Sequence, residues 1–383
     1  GSVRSMSFRL TAEQERLIAH VRDHARSELA PLARTAPPRR VNRELLKALG
    51  ELGLTQRLFP RSAGGSRDED IAAMELCLLR EGLAAECTAA ETALALQGLG
   101  SYPILQSGSP EMFARWLPPV ARGEAVAAFA LTEPEAGSDA ASIALAAQRD
   151  GDAWRLSGAK KWISNAPDAD VYVVFARTSG DARSKGVTAF VVPGDSQGLT
   201  GAPLELLGDH AIGSLEFDGV SVSAEGVLGE VDHGFEVAMR TLFFFRPSVG
   251  AAAVGMAQAA LETAIEHARD RRAFGRELRE FQAVSHRLAE MVTRLRAARL
   301  LVYAAAESYD RVEPGIPASS AMAKLLATET AQFVIDAAVQ IHGAAGLERG
   351  HILEHLYREV RALRIYEGTS EIQREIIARE LYR

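Results

Sequence analysis

The sequence predicts an α+β multidomain protein: an N-terminal helical domain over 1–125, a central antiparallel β domain over 126–232, and a C-terminal helical bundle over 233–383. Three observations predict it. Apolar residues recur at helical spacing from Thr11 to about Gly123, short alternating stretches fill the middle, and helical spacing returns at Gly234 and persists to the end. With 383 residues, the chain is also too long for one simple core.

In order, Thr11-x-x-Gln14 has the spacing of a capping box, and Leu17, Ile18, Val21 and Ala25 continue an apolar stripe. Pro37-Pro38 interrupts it, because consecutive prolines cannot continue a helix. A second helix carries Leu45, Leu46, Leu49 and Leu52, and a loop runs from Phe59-Pro60 to Gly64-Gly65. Ile71 to Leu83, Ala89 to Leu99 and Glu111 to Ala121 read as three further helices. Asp150-Gly151 is a hairpin signal ahead of the alternating Trp154-Arg155-Leu156. Strands of about five residues follow around Val171 to Phe175, Val187 to Val191, Leu215 with Phe217, and Val220 with Val222. With no long helices between them, they make an antiparallel sheet. Val249 to His267, Phe281 to Tyr309 and Ala321 to His342 are too apolar to be solvated singly, so they pack as a bundle.

Composition narrows the function classes. Hydrophobic residues make up 47% and charged residues 24%, as in ordinary globular proteins. A formal charge of -7, from 43 basic and 50 acidic residues, leaves no basic face for nucleic acid or an anionic membrane. No run of eighteen apolar residues suggests a membrane span. Cys77 and Cys87, ten positions apart with no signal peptide upstream, read as reduced core thiols of a cytoplasmic protein. Gly1-Ser2 is set aside as a cloning remnant, with Met6 as the candidate natural start. No spacing suits a metal site or a Ser-His-acid order.

Five stretches can carry chemistry. In Tyr366-Glu367-Gly368-Thr369-Ser370, the capping-box spacing of Ser370 with Gln373 starts a helix near Thr369, which leaves Glu367 just outside it. Glu367 is either a base pushed into a pocket or an acid complementing the helix dipole. Leu131-Thr132-Glu133-Pro134-Glu135-Ala136-Gly137-Ser138-Asp139 turns backbone amides and hydroxyls toward a polar ring or phosphate, or is a surface loop. Trp162, in Lys161-Trp162-Ile163-Ser164-Asn165-Ala166, is a stacking wall or the residue that closes the sheet. Arg271-Arg272-Ala273-Phe274-Gly275 with Gln282 offers a cation, a ring and an amide suited to a pyrophosphate and an adenine. Gln340-Ile341-His342-Gly343-Ala344-Ala345-Gly346 ends a helix with two glycines that permit close backbone approach, and His342 reads as a C-terminal helix residue complementing the dipole in preference to a catalytic base. Neither Gly-x-Gly-x-x-Gly nor a P-loop occurs, so a dinucleotide must be held another way.

Taken in this order across residues 11 to 383, these motifs make the chain strongly resemble the FAD-dependent acyl-CoA dehydrogenase family. The resemblance implies that fold, with a C-terminal four-helix bundle and assembly as a homotetramer or homodimer. It implies that Phe129, Leu131, Thr132, Gly137, Ser138, Trp162 and Ser164 surround the flavin ring and ribityl chain. Arg271, Phe274, Gln282, Gln340 and Gly343 would reach the adenine and pyrophosphate of FAD in a neighbouring subunit, and Thr369 and Glu371 would close over the flavin. Glu367 would be the catalytic base, with Ser138, Phe243, Arg246, Tyr366 and Gly368 toward the substrate. The implied reaction removes an α-proton and a β-hydride from an acyl thioester to give the trans-2-enoyl thioester, with an electron-transfer flavoprotein as partner.

One departure bears on the substrate. Many members acting on free CoA carry Asp three residues before the arginine that stands here as Arg246; in Leu242-Phe243-Phe244-Phe245-Arg246 that position is Phe243. The three phenylalanines are either core or the mouth of a pocket for a pantetheine arm on a carrier protein, as in relatives from polyketide and nonribosomal peptide pathways. Free acyl-CoA is the leading expectation. An inactive scaffold, which retention of Glu367 opposes, and a flavin oxidase on the same fold are the other readings.

Overall fold

The computed structural model describes residues 9–69, 71–180 and 183–382; Gly1-Ser2 and Met6 lie outside them. Helix α1 (Ala12–His24) opens on the expected capping box, with the Thr11 hydroxyl accepting from the Gln14 N–H and the Gln14 side chain accepting from the Thr11 N–H. A π turn over Ala25–Leu29 carries it into α2 (Ala30–Ala33), which stops short of Pro37-Pro38. Helix α3 (Arg43–Glu51) buries Leu45, Leu46 and Leu49 behind an Asn42 cap. Next come α4 (Ala73–Glu86), α5 (Thr88–Ser107) and α6 (Pro110–Ala121).

The middle of the chain is a sheet of eight strands: β1 (Ala127–Ala130), β2 (Ala146–Asp150), β3 (Ala153–Ser164), β4 (Val171–Arg177), β5 (Val187–Pro193), β6 (Leu199–Pro203), β7 (Ile212–Ser223) and β8 (Val227–Leu228). Its order is β6-β7-β3-β2-β4-β5-β8, with β1 also against β4. The expected hairpin turns at Gly151-Asp152, pairing Asp150 with Ala153. The sheet is mostly but not wholly antiparallel, since β1 runs parallel to β4 and β2 meets the end of β4 in parallel. Strand β1 enters from a helix and not through a hairpin, so its direction is not reversed by a tight turn. Gln97 of α5 anchors that entry: its amide donates to Val120 and Ala125 carbonyls and its oxygen accepts from the Ala127 N–H. The two short strands expected around Leu215 and Val220 are one strand, β7, because a bulge opposite Leu156 and Gly158 absorbs Asp218 and Gly219.

Helix α7 (Gly234–Asp270) starts well before Val249 and runs unbroken through Pro247. It is long and apolar enough to cross a membrane by length and composition, yet 72% of that stretch is buried in the protein, as in a core helix. A hairpin of β9 (Arg272–Ala273) and β10 (Arg276–Glu277) leads to α8 (Gln282–Asp310), α9 (Ile316–His342), α10 (Ile352–Val360) and α11 (Ser370–Glu380).

These elements gather into two compact units, one of residues 1–27, 72–91 and 246–383, the other of residues 28–71 and 92–245. In the first, α4 packs on α7 and α8. Gly255 lies so close to α4 that a Cβ there would stand 2.3 Å from the Glu81 carbonyl oxygen. Arg299 and Tyr303 of α8 donate to the Glu81 carboxylate at 2.8 and 2.6 Å, and Asp310 caps α4 by accepting from the Ala73 and Met74 N–H groups. In the second unit the sheet buries Tyr172, Phe175 and Phe190, while Arg43 reaches Asp170 at 2.9 Å. Both cysteines are buried thiols outside any disulfide, and burial pushes the Cys77 thiol up.

Candidate active site

The turn into α11 is built from its neighbours outward. After α10, a 3-10 turn over Arg361–Arg364 ends with the Ile365 and Tyr366 N–H groups both donating to the Ala362 carbonyl. The next two residues are left-handed, Glu367 at φ 54° and Gly368 at φ 91°. Glycine tolerates this freely, but for glutamate it costs about 1–2 kcal/mol. Thr369 then caps the helix, its hydroxyl accepting from the Ile372 N–H. The cap expected from Ser370 with Gln373 is therefore displaced by one residue, because both side chains are committed elsewhere. Ser370 donates to Glu329 at 2.7 Å, and Gln373 donates to the Glu367 and Gly368 carbonyls at 3.1 and 2.8 Å. Arg246 Nε reaches the Glu367 carbonyl at 3.2 Å, and Lys324 Nζ the Gly368 carbonyl at 2.7 Å. A Cβ on Gly368 would meet Gln373 Nε2 at 2.7 Å.

Glu367 Oε2 is sealed from solvent without a hydrogen-bond partner, and the Glu367 backbone N–H donates to nothing among the described residues. Burial raises the Glu367 pKa above the ordinary carboxylate value; Arg80, Lys324 and Arg246 oppose that rise, and Glu91 adds to it. Arg80 and Glu91 form a buried pair at 2.6 Å, with Arg80 also donating to Ser248 at 2.8 Å. Burial lowers Arg246, with Glu367 pulling the other way, and raises the Tyr366 phenol. A carboxylate in these surroundings is a stronger base than one in water.

Elsewhere in this unit, Phe274 (φ 49°) and Gly275 (φ 81°) form the tip of the β9–β10 hairpin, which leaves Phe274 95% exposed. Arg271 lies exposed at the end of α7 and Gln282 exposed at the start of α8. His267 stacks on His342 with ring centroids 4.0 Å apart, which brings the end of α7 beside the end of α9, where Gln340 and Gly343 (φ 62°) are exposed. His342 is the last residue of α9, and its Nδ1 pairs with the Ala338 carbonyl at 2.9 Å, the terminal position expected for it. Glu371 is exposed in the first turn of α11, where backbone N–H and the Thr369 hydroxyl hold its carboxyl below the usual range.

The other unit carries the remaining candidates. Phe129 sits on β1 against Phe175 at 4.9 Å. Leu131 and Thr132 begin a loop organised from underneath: Lys160 of β3 is fully buried and donates to the Leu131 carbonyl and to Glu133, each at 2.8 Å. Glu133 also accepts from the Ala144 and Leu145 N–H groups at 2.6 and 3.0 Å, and the Lys161 N–H donates to the Thr132 carbonyl. Gly137 and Ser138 are left exposed on the far side of the loop. Burial pulls the Lys160 pKa down to about 8, against the pull of Glu133.

A bulge between Lys160 and Ile163 carries Trp162 at φ 58°, which leaves its indole 42% exposed. Trp162 is therefore not the residue that closes the sheet, because the bulge turns it out of the pleat. Ser164 lies 3.5 Å from His210 Nε2. Phe244 and Phe245 are core, packed on Tyr102 at 4.6 and 5.9 Å, while Phe243 is half-buried.

Sequence reasoning gave no role to Lys160, Glu133, Lys324 or the Arg80–Glu91 pair, and gave Gln373 only a capping one. For Lys324, between Ala323 and Leu325, and Arg80, after Leu78-Leu79, the signal was a charged residue inside an apolar stretch.

With this geometry established, comparison with known proteins adds three findings. Family models described as the N-terminal, middle and C-terminal domains of acyl-CoA dehydrogenase match residues 11–124, 128–220 and 232–382. "Probable acyl-CoA dehydrogenase FadE25" of Mycobacterium tuberculosis (strain ATCC 25618 / H37Rv) is 37% identical over 380 residues, covering 98% of this chain and 97% of its own length. Among solved structures, butyryl-CoA dehydrogenase from Megasphaera elsdenii superposes with a TM-score of 0.92 at 34% identity, covering 99% of this chain and 100% of that one. The structure of PigA with FAD and proline does so with a TM-score of 0.92 at 29% identity, over 98% and 99% of the two chains.

Proposed function

The chain belongs to the acyl-CoA dehydrogenase family, and from that premise we infer that it is an FAD-dependent oxidoreductase converting an acyl-CoA to its trans-2-enoyl thioester. The observation that carries the chemistry is Glu367: a left-handed residue whose sealed Oε2 has no partner and whose pKa is raised by burial. Glu367 takes the α-proton. Its unoccupied backbone N–H is the donor for the thioester carbonyl as negative charge develops there.

Bound FAD would supply the acceptor for the hydride leaving the β-carbon. Features of this chain fit that cofactor: the exposed indole of Trp162 offers a face for a flat ring, and Gly137 and Ser138 leave amides and a hydroxyl open. Phe274, almost wholly exposed at a hairpin tip, fits stacking on an adenine brought by a second copy of the chain. Phe129, Leu131, Thr132, Ser164, Arg271, Gln282, Gln340, Gly343, Thr369 and Glu371 are assigned to the same cofactor, and Ser138, Arg246, Tyr366 and Gly368 to the substrate. A homotetramer, an electron-transfer flavoprotein as acceptor and a cytoplasmic location complete the proposal; the reduced, buried Cys77 and Cys87 support the last.

Anaerobic mixing of the yellow holoenzyme with acyl-CoAs of graded length tests this, with bleaching of the flavin band as the expected result. One observation favours a second reading, a thioester on a carrier protein: Phe243 stands where free-CoA members carry Asp. Matched acyl-CoA and acyl-carrier substrates separate the two, and bleaching by the carrier form alone overturns the free-CoA assignment.

A further inference from the structure

Four hydrogen bonds from three helices converge on two adjacent carbonyl oxygens. Arg246 of α7 and Gln373 of α11 donate to the Glu367 carbonyl, while Gln373 and Lys324 of α9 donate to the Gly368 carbonyl. They fix the peptide planes that follow the left-handed Glu367, and so hold its ψ and both Gly368 dihedrals.

Lys324 stands out among the donors. It is fully buried, forms no ion pair within 4 Å among the described residues, and serves a carbonyl that Gln373 already satisfies. An ammonium is a costly way to add a second bond to one carbonyl, because burying its charge strips it of hydration. What the charge does there beyond hydrogen bonding is act on Glu367, the foremost group favouring its protonated form. The other groups facing Lys324 are Arg246, Glu329 on its own helix, and Glu371 on α11. Those facing Glu367 are Arg80 of α4, Glu91 of α5, Arg246 and Lys324. The Arg80 charge is matched by Glu91 at 2.6 Å, whereas Lys324 has no ion pair of its own among the described residues.

We propose that Lys324 is a positioning residue for the reaction: it locks the left-handed turn that presents Glu367, and its charge keeps that buried carboxylate ionised at working pH. This rests on Glu367 being the base. Burial pulls Lys324 down to about 8, so it stays charged at neutral pH, where the proposal needs it.

The test is the pH dependence of flavin reduction in purified holoenzyme, mixed anaerobically with butyryl-CoA, or with the butyryl-carrier form if that alone reduces the native enzyme. Lys324→Met is expected to keep its FAD, lose about tenfold in rate at pH 7, and move the acid limb up by about one pH unit or more. Gln373→Met removes two bonds from the same turn without changing charge, so it should slow reduction and leave the limb in place. Lys324→Arg restores the limb. Where Lys324→Met does not accumulate as holoenzyme, Lys324→Gln, which keeps a donor and drops the charge, carries the same expected shift. An acid limb unmoved in the neutral Lys324 variant overturns the proposal. Glu367→Gln separates the two levels: reduction at the native rate in that variant overturns the base assignment itself, whereas loss of reduction with an unmoved limb in the Lys324 variant overturns only the role of Lys324.

Discussion

The ammonium of Lys160 and the carboxylate of Glu133 meet at 2.8 Å under the loop of residues 131–139, with Lys160 wholly shut off from water. The loop's shape therefore depends on a pair buried beneath it, which also holds the Leu131 carbonyl and the Ala144 and Leu145 N–H groups. Lys160→Met leaves Glu133 buried without its cation and is expected to cost about 3–5 kcal/mol. Thermal melting should report that loss, and the ratio of flavin to protein absorbance should fall with it. Adding Glu133→Gln removes the uncompensated charge and should recover part of the melting temperature. A single variant that melts and binds FAD as the native protein does would remove this pair from the account.

Glu367→Gln is expected to bind FAD normally and to lose flavin reduction by about a thousandfold or more, since the neighbouring Glu91 carboxylate is held in its pair with Arg80. Stopped-flow absorbance of the oxidised flavin checks this, and reduction within tenfold of the native rate would contradict it.

Stability should carry the same signature with a definite sign. Burial raises the folded pKa of Glu367, so between the ordinary carboxylate pKa of about 4.3 and the raised value the folded state holds a proton that the unfolded state has lost. Stability from this group is thus present at low pH and declines as pH rises through the folded value. Melting curves of Glu367→Gln and native protein should coincide near pH 4, with the variant gaining relative stability toward pH 8. The rate of flavin reduction should run the opposite way, rising with pH as the base ionises.

Phe274→Ala removes a side chain that touches little of its own unit, so the melting temperature of FAD-free protein should be nearly unchanged, within the roughly 0.5 kcal/mol typical of surface substitutions. Loss of stacking on the cofactor should nevertheless weaken FAD binding by about tenfold, from the 1–3 kcal/mol typical of base–aromatic stacking. Equal FAD affinity in the variant would sever Phe274 from the cofactor.

Most of the architecture could be read from periodicity. The Thr11 cap, the Asp150-Gly151 hairpin and the long apolar helices are local features, written in neighbouring residues. What escaped is long-range. Parallel pairing of β1 with β4 depends on where a helix delivers the chain, and the union of the Leu215 and Val220 stretches into β7 depends on a bulge against β3. The same holds at the site. Glu367 was legible from its motif, but the donors on its carbonyls arrive from residues 246, 324 and 373. Ser370 lost the expected capping role to a partner 41 positions away, Glu329, which no local pattern could announce.

The composition of the first unit from residues 1–27, 72–91 and 246–383 has a consequence for synthesis. Residues 28–71 and 92–245 have all left the ribosome before the bundle begins to emerge, so the sheet-bearing unit can complete its core early. Helices α1 and α4 must wait, their apolar faces and the Arg80–Glu91 pair uncovered, until α7 to α9 arrive. Until residue 310 emerges, α4 lacks its Asp310 cap and its packing partner α8, so the apolar face of α4 stays open to non-specific association.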